Sequence, residues 1–250
     1  MTTETSFPDR ADLRSHAKRP LFLADWLDAT FIHFALPPGI LSPHVPFPLD
    51  LFDGEAFVSL VAFTQRRLRP AIGGRLAALL AAPLSEHPFL NLRTYVRVNG
   101  EPAIQFLAEW IPNRLAVAIG PPTYGLPYHL AGLNYGRRVE AYFGTVECRR
   151  RSLSYVTRPI PQPRHGKDRA DALDAFLVER YAAWTMRRGI ARRFRIWHER
   201  WPARRCEIRL PHRSLLDHVA PWLDGADPVL AHCSPGVRDV WIGAPQRVIL

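Results

Sequence analysis

Three polar residues alternate along one strand-like run, Asn91, Arg93 and Tyr95, and a carboxylate, Glu109, sits in the next run, Ala103–Ile111. An arginine in such a set can grip a substrate carboxylate through two parallel hydrogen bonds, which a lysine does less well. A carboxyl group or an imidazole beside it can then move a proton as general base or acid. The expected catalytic residues are Glu109, His33 and His129, and the expected substrate-binding residues are Arg93, Asn91, Tyr95 and Tyr128. A purely structural alternative is as concrete. Arg93 and Glu109 can form a buried ion pair, with Asn91 and Tyr95 satisfying backbone groups between strands.

Other reactive residues give less. The ten histidines contain no H-E-x-x-H or H-x-H pattern, and His33 with His129 would supply at most two ligands, so no metal is expected. His232-Cys233-Ser234 resembles a nucleophilic cluster, but neighbouring side chains on a strand point to opposite faces. No nucleophile elbow, phosphate-binding loop or dinucleotide fingerprint is present, and no cofactor is expected. Cys148, Cys206 and Cys233 are odd in number and far apart, as befits reduced thiols in the cytoplasm. The first twenty residues carry no apolar secretory core, and the longest apolar run, Leu76 to Leu84, is too short to span a bilayer. The expectation is a cytoplasmic protein with no membrane partner.

The net charge is +10, and arginine supplies 31 of the 33 basic side chains. These arginines are spread along the chain, and compositional bias accounts for most of the excess, so nucleic acid is not an expected partner. The run Arg192-Arg193-Phe194-Arg195-Ile196-Trp197 interleaves cations with aromatics as single-strand binders do, which keeps a basic nucleic-acid-binding protein as a further alternative. It reads equally as a strand with one solvated face.

The elements that must position the candidate site are mostly strands. A hydrophobic fraction of 47% excludes a disordered chain, and 24 prolines argue against a mainly helical one. Strands are expected over Trp26–Phe34, Glu55–Thr64, Asn91–Val98, Ala103–Ile111 and Leu115–Ile119, and strand character resumes over Trp197–Leu210. Asn99-Gly100 predicts a tight hairpin, since both residues tolerate the positive φ of a type I′ turn. A two-residue loop sets Arg93 opposite Phe106 and sends Glu109 to the other face. A three-residue loop with a bulge puts Asn91, Arg93 and Glu109 on one side. The sequence leaves both registers open. One long helix is expected from Asp168 to about Arg188, where Leu173, Phe176, Leu177, Tyr181 and Trp184 make an apolar stripe and Gly189 a cap. Residues 1–20 read as a loose arm and 21–250 as a single domain.

Several strings in this chain resemble the DUF2071 family of YqjF-like proteins. They are His33-Phe34, Leu51-Phe52-Asp53-Gly54-Glu55-Ala56-Phe57-Val58, Asn91-Leu92-Arg93-Thr94-Tyr95-Val96, Leu126-Pro127-Tyr128-His129 and Phe176-Leu177-Val178-Glu179-Arg180-Tyr181. The resemblance runs over roughly residues 22 to 245, in order. It implies an α+β fold: a mainly antiparallel β-barrel of acetoacetate decarboxylase-like type with one long packed helix and a ligand pocket inside. Two departures stand out: Phe89 occupies a position where the family usually carries Glu, and Leu107-Ala108-Glu109 follows Phe106 in place of Ser-Leu.

The decarboxylase chemistry of that fold needs a lysine of depressed pKa on a barrel strand. This chain has only Lys18, in the loose arm, and Lys167, in a polar approach to the helix, so Schiff-base catalysis is not expected. The leading expectation is a small-molecule enzyme or ligand-binding protein, using proton-transfer chemistry (hydration, dehydration or cyclisation) on an oxo or hydroxy carboxylic acid. A non-catalytic protein that binds a carboxylate or apolar metabolite is the alternative. The oligomeric state is left open, a homodimer included.

Overall fold

The computed structural model describes residues 20–138, 141–161, 169–223 and 225–249. It is mainly strand, and thirteen strands join one mixed, mainly antiparallel sheet. In chain order they are β1 (Phe22–Leu36), β2 (Ala56–Pro70), β3 (His87–Val98), β4 (Glu101–Ile111), β5 (Tyr128–Leu130), β6 (Gly132–Arg138), β7 (Ala141–Cys148), β8 (Arg151–Pro159), β9 (Ala182–Arg187), β10 (Ile190–Trp197), β11 (Arg204–His212), β12 (Leu230–Ile242) and β13 (Gln246–Val248). The helices are α1 (Pro38–Leu41), α2 (Gly74–Leu80), α3 (Arg114–Tyr124), α4 (Arg169–Val178) and α5 (Ser214–Val219). Strands β12-β1-β2-β3-β4-β9-β10 make a ring, which β10 closes on β12 at Ile196↔Ile242 and Trp197↔Trp241. Among the described residues only β4 pairs in parallel, with β5 and with β9.

The ring strands are buried on both faces. In β2, Val58, Leu60 and Ala62 join one core cluster while Phe57, Val61 and Phe63 join another. Period-2 alternation does the same in β1, with Ile32 and Phe34 on one face against Ala29 and Phe31 on the other. The first cluster lies outside the ring, packed against β7, β8 and α5 through Val146, Leu153, Leu215 and Leu216. The second is the inside of the ring, together with Leu177 and Val178 of α4. Each fully buried Leu, Ile or Phe contributes about 1.5–3 kcal/mol, so the ring is held from both sides.

Two expectations about helices are corrected. The helix expected from Asp168 to Arg188 stops at Val178, and Asp168 lies outside the described residues. Ala182–Arg187 pairs instead with β10 and, at Ala183 and Trp184, with β4. Arg188 and Gly189 take φ of 50° and 74°, so Gly189 completes a hairpin turn and caps no helix. Leu173, Phe176 and Leu177 keep their shared stripe, but Trp184 packs against Phe47 in the outer core. Strand pairing outweighs the helical spacing.

The second correction is Leu115–Ile119, which lies inside α3 and not in a strand. Asn113 Oδ1 accepts the Ala116 N–H at 3.0 Å, and Gly125 closes the helix at φ 75°. A short apolar run does not by itself distinguish helix from strand, and here the caps decide. Of the arm expected over residues 1–20, all but Pro20 lies outside the described residues.

Candidate functional site

The hairpin between β3 and β4 has both features that the sequence offered as alternatives. Asn99 and Gly100 form the two-residue turn at φ 53° and 80°, and Arg93 stands opposite Phe106. One residue later the register slips: Leu92 pairs with Ala108 and Asn91 with Glu109, leaving Leu107 unopposed. This bulge turns both Leu107 and Ala108 toward the outer core and swings Glu109 inward. Asn91, Arg93 and Glu109 therefore share the inner face.

They line a cavity of about 200 Å³ inside the ring. Its walls are largely aromatic, with Phe63 stacked on Phe89 at 5.1 Å and Trp26 beside Trp201. Against this apolar lining the polar groups stand out because several make no hydrogen bond to protein: Arg93 Nε, Arg180 Nη2, Asn91 Oδ1, Glu109 Oε2 and both ring nitrogens of His87. Arg93 donates one bond, from Nη2 to the Leu177 carbonyl at 3.3 Å. No ion pair joins it to Glu109 or to any other described carboxylate, so the structural alternative of an Arg93–Glu109 pair is not realised. Arg180 differs, since Asp50 Oδ2 accepts from it at 2.6 Å and the guanidinium covers Phe176.

Burial sets the protonation states. It pushes the Glu109 carboxyl well above the usual carboxylate range, with no compensating cation. Burial, then Glu109 and Tyr124, raises the Tyr128 phenol. Burial lowers His87 to about 4 and also lowers His198. The cavity thus holds a carboxyl group and imidazoles that burial biases toward their neutral forms, and two guanidiniums, of Arg93 and Arg180, with spare donors.

The expected site residues divide. Arg93, Asn91, Glu109 and Tyr128 line the cavity. His33 and Tyr95 lie behind it in a buried hydrogen-bonded chain. Asp174 Oδ1 is 3.1 Å from His232 Nε2, His232 Nδ1 is 3.0 Å from His33 Nε2, and His33 Nδ1 is 2.7 Å from Ser59 Oγ. Ser59 Oγ is 2.6 Å from the Tyr95 hydroxyl, which donates to the Leu177 carbonyl at 2.8 Å. A carbonyl only accepts, so Tyr95 accepts from Ser59, Ser59 from His33 Nδ1–H, and His33 Nε2 from His232. His33 is therefore a neutral spacer between groups, away from the cavity wall, and burial lowers its pKa. His129 is also not brought to the cavity: it is exposed on β5, where its ring leans on Trp110.

Sequence reasoning missed His87, Arg180 and His198, which line the cavity. His87 shares the parity of Phe89 and Asn91, so a longer β3 would have found it. Arg180 and His198 lie just beyond α4 and β10, where no local pattern marks them. The chain's two lysines, Lys18 and Lys167, both lie outside the described residues. Among the described residues, no group of three or more His, Cys, Asp or Glu could hold a metal ion, and no helix is long and apolar enough to cross a membrane.

Comparison with known proteins agrees with this architecture. The family model DUF2071, described as an uncharacterized conserved protein, matches residues 23–238. The uncharacterized protein YqjF of Bacillus subtilis (strain 168) is 30% identical over 214 residues, covering 82% of this chain and 84% of its own. Among solved structures, an acetoacetate decarboxylase-like enzyme from Sphingomonas wittichii RW1 superposes with a TM-score of 0.62 at 13% identity, over 98% of this chain and 99% of that one. The enduracididine biosynthesis enzyme MppR complexed with pyruvate gives 0.63 at 10% identity, over 96% and 94%. Acetoacetate decarboxylase from Legionella pneumophila gives 0.61 at 13%, over 98% and 94%. The fold is acetoacetate decarboxylase-like.

Proposed function

Starting from a chain that belongs to the DUF2071 family, we propose that its ring encloses a site for a small carboxylic acid, on which Glu109 performs proton transfer without a Schiff base. The observation that carries this reading is the pair of buried, mutually unpaired groups facing one cavity, Arg93 with a free Nε–H and Glu109 with an unpartnered Oε2, whose pKa burial raises. A buried guanidinium without a carboxylate partner is costly unless a ligand supplies the anion. Asn91 and Arg93 are two residues apart on β3, about 7 Å along the strand. A carboxylate held by Arg93 places the neighbouring carbonyl or hydroxyl group near Glu109, which pairs across from Asn91.

Glu109, being protonated, delivers its proton to that oxygen, and the carboxylate so formed takes a proton from the adjacent carbon. For an oxo acid this converts ketone to enol and restores Glu109. For a hydroxy acid it releases water and leaves an alkene. Residues 21–250 would act as one unit in this reading. Exchange of the C3 hydrogens of 4-phenyl-2-oxobutanoate in D2O, followed by proton NMR, tests it. The expected result is exchange faster than in buffer with the native chain and loss of that excess in Glu109→Gln. Equal exchange in the two proteins, or none above buffer, rules the proton-transfer step out. The aromatic lining favours one second reading, a non-catalytic metabolite binder, which would retain the ligand and show no exchange.

A further inference from the structure

The polar groups do not ring the cavity evenly, and the strand register shows how they are laid out. Along the inner face of β3 run His87, Phe89, Asn91 and Arg93, opposite Gln65, Phe63, Val61 and Ser59 of β2. Six residues separate the two ends, about 20 Å at the rise of a β-strand. Arg93 stands at one end with Phe31 and Val178, and Asn91 and Glu109 follow one step along. Beyond them the walls are Phe63, Phe89 and Gly120, and the far end is lined by Leu68, Leu84 and Ile119. Among the described residues no charged side chain lines this far half, because burial keeps His87 neutral at physiological pH. Ile119 is 42% exposed, so the apolar end reaches the surface. Gly120 shapes the passage, since a Cβ there would stand 2.3 Å from the Tyr128 ring.

We propose that the cavity takes an amphiphilic monocarboxylic acid, its carboxylate at Arg93 and its apolar tail running past Phe63 and Phe89 to the Leu68–Leu84–Ile119 end. This rests on the reading of Arg93 as the carboxylate anchor and specifies what that reading leaves open, the body of the ligand. Pyruvate, with which the neighbour MppR is complexed, would fill only the Arg93 end and leave the aromatic half without a ligand. A tail of about eight carbons, or an aryl group on a short spacer, would cover it. Apolar burial of this kind adds affinity with each methylene until the channel is full.

The test is calorimetric titration of the native chain with butanoate, hexanoate, octanoate and decanoate below their micellar concentrations, with decanol as the uncharged control. The expected result is a Kd that falls about fourfold per methylene from hexanoate to decanoate, with decanol bound far more weakly than decanoate. Leu84→Trp, which crowds the far end, should lower the decanoate-to-butanoate affinity ratio more than tenfold. Butanoate and decanoate binding equally, each weakened by Arg93→Gln, overturns the tail assignment and leaves the carboxylate anchor standing. Decanol binding as tightly as decanoate, with Arg93→Gln indifferent to both, overturns the anchor and this proposal with it. Failure of every acid to bind also overturns both.

Discussion

Two sets of buried polar residues hang on the same ring strands, and they are built differently. In the chain Asp174–His232–His33–Ser59–Tyr95, each neighbour lies within 3.1 Å, one end is clamped by Arg205 and the other closes on the Leu177 carbonyl. A short step along β3, Arg93, Asn91, Glu109 and His87 are just as buried, yet each leaves polar atoms unused toward the cavity. The first set ties α4 to β1, β2, β3 and β12, and from His232 Nδ1 to the Leu177 carbonyl its members satisfy one another; only His232 Nε2, which faces Asp174 at 3.1 Å, lacks hydrogen-bond geometry. The second is incomplete as a protein structure, and its open valences describe a ligand. A buried polar residue therefore says little by its burial, and what its remaining donors and acceptors face is the informative part.

The largest expected effect breaks the complete set. His33→Leu strands both Ser59 and His232 and should cost about 3 kcal/mol of stability, read by chemical denaturation. Arg93→Gln is the counterpart in the incomplete set. It should weaken carboxylate binding at least about 30-fold, roughly 2 kcal/mol, while denaturation shows no loss, since a costly buried charge is removed.

The pH dependence of stability separates two members of the open set. Glu109 binds its proton more tightly when folded, so its contribution is present below the ordinary carboxylate pKa. That contribution is lost as pH rises toward the folded value, at up to about 1.4 kcal/mol per unit. Glu109→Gln should remove that decline. His87 has the opposite sign: with a folded pKa of about 4, its contribution is lost as pH falls from about 6.5 to about 4. His87→Phe should flatten that acid limb in urea titrations across pH. The smallest effect concerns the turn behind the site. Gly100→Ala meets no neighbour but must hold φ 80°, and should cost about 1 kcal/mol.

The fold was legible wherever the chain repeats a local rule. Apolar, aromatic and β-branched composition marks β1, alternation marks β2 to β4, and Asn99-Gly100 marks the turn between β3 and β4. It was not legible where partners far away decide, as at Ala182–Arg187, whose helical spacing yields to pairing with β10 and β4. The site was half legible. Arg93, Asn91, Glu109 and Tyr128 belong to strands or strand ends visible in the sequence and do line the cavity. The bulge at Leu107, which sets Glu109 beside them, carries no glycine or proline to announce it. His33 and His129 look alike as isolated histidines, and only the fold makes one a buried spacer and the other a surface ring.

What the protein carries from the cell tests the Arg93 site most directly. Native mass spectrometry of the chain purified from expressing cells, native and Arg93→Gln side by side, measures this without assuming a substrate. The expected result is a retained acidic small molecule on the native chain that is lost from a folded Arg93→Gln variant. An acidic ligand held equally by both proteins, or a retained ligand with no acidic group, would contradict the assignment of Arg93 and the incomplete polar set to a carboxylate.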